Sequence, residues 1–432
     1  MILTPGLMFG DNGHLYISGC DTVELAKKYS TPLYVMNENL IRNNCKRYTK
    51  FIADNFKNGS FPCYASKALS CLEIYRIMKE ENMGVDVVSG GELYTALKAG
   101  FPANRIFFHG NNKTCDELEM AVKNGVGRII VDNLTELQVL DKIAAENNLT
   151  ANIGLRIKPG IEAHTHDYIK TGQIDSKFGF SIENGEALDV VRKALTFNNL
   201  NLVQLHCHIG SQIFDTQPFV DAVKVMLGFI KEIHSTTNHW ITEFNLGGGL
   251  GARYTDADAP LEIEEYLTPV AQTLHTYCAD NDIPEPQFHI EPGRSIVGEA
   301  GTTLYTLGAI KDIKDVRTYI SIDGGMADNI RYALYKAEYT VLNASKKTGD
   351  IAENITVAGK CCESGDLIQE GITITDPQIG DILAVLTTGA YNYSMSSNYN
   401  RIRKPAMVMV SEGKSRLVIK RESYEDILKN DI

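Results

Sequence analysis

The chain has 432 residues, of which 44% are hydrophobic, and it carries 42 Lys and Arg against 54 Asp and Glu. This hydrophobic fraction is ordinary for a globular protein and excludes a disordered or fibrous chain. The net charge of −12 argues against nucleic acid or an anionic membrane as the main partner, because phosphate groups attract clustered Lys and Arg. Nine scattered cysteines without paired zinc spacing indicate free thiols in a reducing compartment, so we expect a cytoplasmic protein.

The predicted elements begin with one strand-like run, His14–Ser18, in the first 29 residues. From residue 60 to residue 295 one unit repeats, a short β-rich run followed by a stretch with apolar residues at helical spacing. The eight β-rich runs are Cys63–Lys67, Gly84–Ser89, Arg105–Gly110, Arg128–Asn133, Ala151–Ile157, Val203–Gly210, Glu243–Gly249 and Gln287–Gly293. Eight such units favour closure into a TIM-type (β/α)8 barrel over a doubly wound open sheet.

After about residue 296 the pattern changes to β-rich segments with little helical periodicity between them. These segments are Leu304–Lys311, Thr318–Ile322, Ile355–Ala358, Ile382–Thr387 and Ala406–Val410. The last segment, Met407–Arg421, is typical of a hairpin that turns at Glu412–Gly413. We therefore predict two domains, a barrel of residues 30–295 and a mostly antiparallel β-sandwich or β-barrel of residues 1–29 and 296–432.

Polar residues gather at the carboxyl ends of the predicted barrel strands, where barrel enzymes build their sites. Lys67 ends the first strand, and a desolvated lysine amine in a barrel mouth is a candidate Schiff-base former rather than a surface charge. The backbone N–H groups of Gly247–Gly249 suit a phosphate, although such glycines also form plain tight turns. Glu291 at the end of the last strand either pairs with Arg294 or keeps a pyridine nitrogen protonated.

His206 and His208 lie two residues apart on a predicted strand, so their side chains face the same side. This spacing fits a metal pair, two histidines held by hydrogen bonds inside the barrel, or one ring stacked on a planar cofactor. His164 and His166 lie in a polar segment after the fifth strand, and we expect them in a surface loop. A lysine, a phosphate cradle, a stacking ring and a carboxylate are together the parts that hold pyridoxal phosphate (PLP).

The ordered motifs resemble those of the fold-type III PLP-dependent decarboxylases, most strongly the branch that acts on diaminopimelate. The matching segments are YASKA (64–68), HCHIGSQ (206–212), NLGGGLG (245–251), EPGRSIVGEAG (291–301), DGGMADNIRYALY (323–335), CESGD (362–366) and GAYNYSMSSNYN (389–400). They follow the family's order and cover both predicted domains. The resemblance implies PLP-dependent decarboxylation of meso-2,6-diaminopimelate to L-lysine and CO₂, the last step of lysine biosynthesis.

The resemblance also implies roles for individual residues. Lys67 forms the Schiff base with the cofactor, His208 stacks on the cofactor ring, and Glu291 pairs with the ring nitrogen. Further cofactor contacts, several of them with the phosphate, are implied for Ser211, Gly247, Gly248, Gly249, Gly293, Arg294 and Tyr391. Cys362 is the implied acid that protonates the carbanionic intermediate. In the family this cysteine reaches the neighbouring subunit's site, which implies a homodimer with shared active sites.

A substrate with a second amino-acid head needs a planar cation for its far carboxylate and an anion for its far ammonium. Arg294 and Arg331 can bind the carboxylate, and Tyr335 can add a hydroxyl. Glu363 can accept from the ammonium, and Tyr391 is assigned to the substrate as well as the cofactor. The alternatives are a decarboxylase of ornithine, arginine or carboxynorspermidine, a non-catalytic regulator with the same fold, and a metal-dependent barrel hydrolase. We expect no metal, nucleic acid or membrane partner.

Overall fold

The computed structural model describes residues 3–161 and 177–432, so His164 and His166 lie outside the described residues. The chain divides into two compact units. The barrel unit contains Asn44–Gly251 and Pro260–Gly293. The β unit contains Met1–Asn43, Ala252–Ala259 and Arg294–Ile432. Within the described ranges, no helix combines the length and the apolar character that crossing a membrane requires.

The chain begins with a small antiparallel sheet, a helix and a buried strand. The elements are β1 (Leu7–Phe9), β2 (Leu15–Ile17), β3 (Cys20–Asp21), α1 (Thr22–Tyr29), β4 (Leu33–Asn37) and α2 (Glu38–Asn55). The predicted strand-like run His14–Ser18 contains β2. Asp21 begins α1, because its side chain accepts from the backbone N–H groups of Val23 and Glu24, which have no partner within the helix.

Eight parallel strands of the barrel unit form one closed sheet, which confirms the predicted TIM-type barrel. They are β5 (Phe61–Ala65), β6 (Gly84–Val87), β7 (Ile106–Phe108), β8 (Arg128–Val131), β9 (Ala151–Lys158), β11 (Leu200–His206), β12 (Glu243–Asn245) and β13 (Gln287–Ile290), with the two-residue β10 (Phe180–Ser181) beside β9. Strand β13 pairs with β5, and β8 pairs with β9, so the ring closes. Except for β9, each strand ends two to four residues before the predicted run ends, because polar residues and glycines there leave the ladder.

Seven helices separate the strands of the barrel unit within its described residues. They are α3 (Leu72–Glu80), α4 (Gly90–Lys98), α5 (Cys115–Lys123), α6 (Leu134–Glu146), α7 (Glu186–Ala194), α8 (Gln217–Thr237) and α9 (Ile263–Asn281). Ser89 and Asn133 cap α4 and α6 by accepting from the backbone N–H three residues further on. Each of these caps lies two residues after the end of a strand, so the turn from strand to helix is short.

The remainder of the β unit is one large sheet with four short helices. Its strands are β14 (Gly301–Ile313), β15 (Arg317–Ile322), β16 (Val341–Asn343), β17 (Ile351–Ala358), β18 (Leu367–Thr375), β19 (Ile382–Leu386), β20 (Ala406–Ser411) and β21 (Lys414–Ile419), and its helices are α10 (Arg294–Val297), α11 (Arg331–Tyr335), α12 (Asn392–Met395) and α13 (Tyr424–Leu428). Most strand pairs are antiparallel, which confirms the predicted class of this domain. The β20–β21 hairpin turns at Glu412–Gly413, as predicted.

Strand β4 places the first domain boundary later than residue 30. All five residues of Leu33–Asn37 are buried, and the strand pairs antiparallel with β14 and parallel with β20. Residues 30–43 therefore group with the β unit, and so do residues 252–259. A short apolar run looks the same whichever sheet buries it, so the sequence pattern could not assign this strand to the second domain.

Candidate active site

The polar residues of the barrel unit follow the carboxyl ends of its strands. Lys67 lies in a short 3₁₀ turn two residues after β5, and its side chain is exposed. His208 lies two residues after β11, Gly247 lies two residues after β12, and Glu291 directly follows β13. Because all eight strands are parallel, these residues share one end of the barrel, which is where catalytic groups sit in barrel enzymes.

Glu291 forms the centre of a buried polar cluster and is 7% exposed. Asn245 donates from Nδ2 to Oε1 at 2.7 Å, and His206 Nε2 lies 3.2 Å from Oε2. His109 Nε2 lies 2.7 Å from Oε1. Burial alone would raise the pKa of Glu291, but the two imidazoles hold that pKa well below its ordinary value. The carboxylate is therefore ionised although it is buried.

Both histidines of this cluster are neutral near pH 7. Burial lowers the pKa of His109, and it lowers the pKa of His206 to about 4. Since a carboxylate can only accept, His206 presents its Nε2 N–H to Glu291, whereas His109 Nε2 lies within ion-pair distance of Glu291 without hydrogen-bond geometry. His206 Nδ1 has no hydrogen-bond partner among the described residues. The imidazoles thus orient the carboxylate without cancelling its negative charge.

Two further acidic residues lie in the electrostatic field of Lys67. Asp86, on β6, is 3% exposed, and its Oδ1 has no hydrogen-bond partner in the part of the chain that the structure describes. Burial raises the pKa of Asp86 well above its ordinary value, and the charge of Glu291 adds to this rise. Glu92 accepts from the Ser66 hydroxyl at 2.8 Å, and burial raises its pKa too.

The glycine run is a tightly packed turn that also orients a histidine ring. Gly247 and Gly249 have φ values of +72° and +136°, which glycine adopts without strain. A Cβ on Gly248 would lie 2.3 Å from the backbone oxygen of Glu291, so a side chain has no room there. The Gly248 N–H donates to His208 Nδ1 at 3.3 Å, which leaves the ring proton on Nε2. Burial lowers the pKa of His208 well below its ordinary value, so this ring is also neutral.

Two other predicted cofactor contacts lie close to these elements. Ser211 is half-buried and lies three residues after His208, in the turn that follows β11. Gly293 is buried, and a Cβ added to it would lie 3.0 Å from the Cβ of Ala65, the last residue of β5. The chain after Glu291 therefore packs closely against the strand that leads to Lys67.

The β unit contains a second group of predicted residues. The guanidinium carbons of Arg294 and Arg331 lie 4.8 and 5.4 Å from the ring centre of Tyr391. They lie 5.5 and 5.9 Å from the ring centre of Tyr254, whose hydroxyl accepts a hydrogen bond from Arg294. Within the β unit, the structure therefore brings together both arginines and Tyr391, as an anion-binding role requires.

Arg331 is half-buried, and its close partners are aromatic side chains. Its Nε donates to the Tyr339 hydroxyl at 2.9 Å, and its guanidinium lies 5.5 Å from the ring centre of Tyr335. Among the described residues no carboxylate lies within ion-pair distance of Arg331. A half-buried guanidinium without a carboxylate partner can bind the carboxylate of a ligand in bidentate geometry.

Cys362 and Glu363 follow β17 on an exposed loop. The backbone N–H of Cys362 donates to Asn400 Oδ1 at 2.8 Å. The hydrogen bonds of Glu363 within the described ranges are with its own loop. No hydrogen bond or ion pair between described residues joins Glu363 to Arg331.

The sequence interpretation missed His109, Asn245 and Asp86. His109 directly follows β7, so the rule that selected polar residues at strand ends would have found it. The ligating atoms of His109, His206 and Glu291 lie within 4.8 Å of one another, a donor set that also suits a transition metal. His206 thus contacts Glu291, whereas His208 contacts the glycine run, so the two histidines of the HCH motif have different partners.

Comparison with known proteins identifies the family. Residues 39–298, more than half of the chain, match the family model described as pyridoxal-dependent decarboxylase, pyridoxal binding domain. The chain belongs to this decarboxylase family. The resemblance inferred from the motifs is therefore confirmed, and PLP is the cofactor of this pyridoxal-dependent decarboxylase.

Relatives of this decarboxylase match over nearly their whole length. The diaminopimelate decarboxylase of Bacillus methanolicus is 48% identical over 412 residues, which cover 95% of each chain. That of Bacillus subtilis (strain 168) is 47% identical over 98% of this chain and 96% of its own. The crystal structure of diaminopimelate decarboxylase from M. jannaschii in co-complex with L-lysine matches with a TM-score of 0.93 and 34% identity, over 100% of this chain and 99% of that one.

The residues of the barrel unit fit PLP. An ionised carboxylate held by neutral imidazoles suits a protonated ring nitrogen, because its negative charge is not cancelled. The exposed amine of Lys67 is accessible to an aldehyde, and the neutral ring of His208 is held in one tautomer. The buried Asp86, whose pKa is raised by burial, has an oxygen that can still accept a hydrogen bond.

Proposed function

We propose that the protein decarboxylates meso-2,6-diaminopimelate to L-lysine and CO₂ as the last step of lysine biosynthesis. The observation that carries the proposal is the identity of 48% to a diaminopimelate decarboxylase over 95% of both chains. The structural match to an enzyme solved with L-lysine, the product of this reaction, supports it further.

In the proposed mechanism, residues of the barrel unit hold the cofactor. When bound, PLP supplies an electron sink that accepts the bonding electrons of the departing CO₂. Lys67 would hold the cofactor aldehyde through its amine, and Glu291 would stabilise the proton on the ring nitrogen. His208 provides a flat neutral face for stacking. Phosphate and other cofactor contacts are assigned to the turns after the strands and to two β-unit residues, namely Ser211, Gly247, Gly248, Gly249, Gly293, Arg294 and Tyr391.

We assign the far carboxylate of the substrate to Arg331, assisted by Arg294 and by the hydroxyl groups of Tyr335 and Tyr391. The absence of a carboxylate partner for Arg331 among the described residues favours a substrate that brings its own. Decarboxylases of ornithine or arginine have no need of such a cation, because their substrates carry no second carboxylate. Glu363 is assigned to the far ammonium group.

We propose that Cys362 donates the proton that replaces CO₂ at the α-carbon. A thiol carries a proton that it can transfer to a carbanion, so Cys362 can act as a general acid. Cys362 and Glu363 are exposed in a single chain, as expected for residues that complete a neighbouring subunit's site. We therefore propose a homodimer with shared active sites. All nine cysteines are free, which supports a reducing cytoplasmic location.

The substrate assignment is tested by CO₂ release from purified protein with added PLP. Meso-diaminopimelate is offered beside L-lysine, L-ornithine and L-arginine, and the product is identified by mass spectrometry. We expect release from diaminopimelate alone, with lysine as product. Release from ornithine or arginine without release from diaminopimelate would refute the assignment of Arg331 and Glu363.

The role of Cys362 is tested by Cys362→Ala, with Cys115→Ala as a matched control at another exposed cysteine. We expect Cys362→Ala to retain bound PLP, measured by its absorbance, while its kcat collapses. The Cys115→Ala control should retain both. An unchanged kcat in Cys362→Ala would remove this thiol from the mechanism.

A further inference from the structure

One buried carboxylate of the β unit joins two loops, and one of these carries Cys362. Asp366 is 2% exposed. Its Oδ2 accepts from the backbone N–H of Cys361 at 2.6 Å, and its Oδ1 accepts from the backbone N–H of Met326. Its own backbone carbonyl accepts from Gly359 at 2.8 Å. The segments 359–366, here called the cysteine loop, and 323–327, here called the DGGMA loop, are thus linked through the Asp366 side chain and through one backbone hydrogen bond, from the Lys360 N–H to the Gly324 carbonyl at 2.9 Å.

Two glycines make room for this carboxylate. A Cβ on Gly325, in the DGGMA loop, would lie 2.4 Å from Asp366 Oδ1. A Cβ on Gly359, in the cysteine loop, would lie 2.2 Å from Oδ2. Both distances are far below van der Waals contact, so a side chain at either position would displace the carboxylate. A buried carboxylate is costly unless its oxygens are hydrogen-bonded, and here backbone donors from both loops meet that need.

A third segment holds the cysteine loop from another side. The backbone N–H of Cys362 donates to Asn400 Oδ1 at 2.8 Å, and the backbone N–H of Ser397 donates to the carbonyl of Ala327 at 2.8 Å. The segment 397–400 therefore contacts both the cysteine loop and the DGGMA loop. The position of the Cys362 backbone depends on this network, in which Asp366 supplies the charged group.

Asp366 also distinguishes the two adjacent cysteines. Cys361 is partly buried, whereas Cys362 is exposed. Burial, followed by the charge of Asp366, raises the pKa of the Cys361 thiol to about 12, so this thiol stays protonated. The carboxylate therefore suppresses reaction at Cys361 and leaves the Cys362 side chain accessible.

We propose that Asp366 is a positioning residue, which fixes the cysteine loop so that Cys362 rather than Cys361 presents its thiol to the reacting substrate. The inference rests on the proton-donor role proposed above for Cys362. It extends that role to a side chain that takes no part in the chemistry itself.

The test is Asp366→Asn, which keeps the size of the side chain but replaces one accepting oxygen with a donating amide. The amide cannot accept from both backbone N–H groups, so the cysteine loop shifts. We expect kcat to fall roughly 10- to 100-fold, the effect of misplacing a reacting group by about 1 Å. The bound PLP should remain close to wild type, because the proposed cofactor-binding residues lie outside the cysteine loop, whereas KM should rise because Glu363 moves with that loop.

A second readout follows the thiols directly. The holoenzyme is labelled with iodoacetamide, and mass spectrometry of the peptides measures the rates at Cys361 and Cys362 separately. We expect Asp366→Asn to raise the ratio of Cys361 to Cys362 labelling several-fold. Gly359→Ala displaces the carboxylate without removing it and should move the ratio in the same direction, so it tests the proposal if Asp366→Asn folds poorly.

Asp381→Asn is the matched control in the same unit. Asp381 accepts from the backbone N–H of Gln378 at 2.9 Å and pairs with Lys346, away from the cysteine loop. The Asp381→Asn substitution should lower the melting temperature of the protein but leave kcat and the labelling ratio unchanged. An unchanged labelling ratio in both Asp366→Asn and Gly359→Ala would overturn the proposal. A shifted ratio in a protein whose Cys362→Ala variant is fully active would support the positioning of the loop and reject only the proton-donor role.

Discussion

Replacing His289 by asparagine removes a group that titrates differently in the folded and unfolded states. His289 lies on β13 and is 0% exposed, with Nδ1 3.0 Å from the carbonyl oxygen of Phe61. Its ring centre lies 4.4 Å from that of Phe61 and 5.2 Å from that of Phe107. Burial lowers the pKa of His289 to about 4 in the folded protein.

The expected effect on stability follows from proton linkage. An unfolded histidine has a pKa of about 6.5. Between pH 7 and pH 5 this residue therefore becomes protonated in the unfolded chain, whereas His289 stays neutral in the folded protein. The stability contributed by the neutral ring is present above about pH 6.5 and is lost as the pH falls toward 4. For a folded pKa of about 4, the loss at pH 5 is roughly 2 kcal/mol.

The assay is urea unfolding at pH 7 and pH 5 with saturating PLP in every sample. We expect His289→Asn to be less stable than wild type at pH 7, because it loses ring contacts. From pH 7 to pH 5 the free energy of unfolding should fall in both proteins. The fall should nevertheless be about 2 kcal/mol smaller in His289→Asn than in wild type. His289→Phe keeps a ring without a titrating nitrogen, so it should show the same reduction from a different starting stability. Equal pH dependence in wild type and both variants would refute the reasoning.

Three other substitutions test the site and its support. Glu291→Gln keeps the size of the side chain but removes its charge, so kcat should fall at least roughly 100-fold while PLP absorbance shows that the cofactor is retained. Arg331→Lys keeps a charge but loses the planar fork, and KM for diaminopimelate should rise roughly 10- to 100-fold in steady-state assays; an unchanged KM would reject its proposed role. Lys113→Met leaves the Glu136 carboxylate, 2.6 Å from the Lys113 amine, buried without its cation. Urea unfolding should show a loss of about 3–5 kcal/mol, and a loss below about 1 kcal/mol would contradict this.

The barrel could be predicted because its strands and helices repeat with a regular period, and each of the eight predicted runs overlaps one strand. The exact ends could not, because a residue such as His208 continues an apolar run although its backbone has left the ladder. The domain boundary at residue 30 missed β4 for a related reason. Its partners β14 and β20 lie far along the chain, and no local pattern in Leu33–Asn37 specifies which sheet will bury it.

The candidate site was predictable to the extent that position on a strand determines it. Lys67 and Glu291 could be selected because parallel strands bring their carboxyl ends together. The partners of Glu291 depend instead on which side chains from β7, β11 and β12 meet inside the closed barrel, and this requires the register of every strand between them. To predict the charge of the cluster, the burial of each side chain must also be known, because His109 and His206 are neutral only as a result of their burial. The same two imidazoles in an exposed loop would be partly protonated at mildly acidic pH, and their positive charge would offset that of the carboxylate. Burial therefore determines whether Glu291 presents the negative charge that its proposed pairing with the ring nitrogen requires.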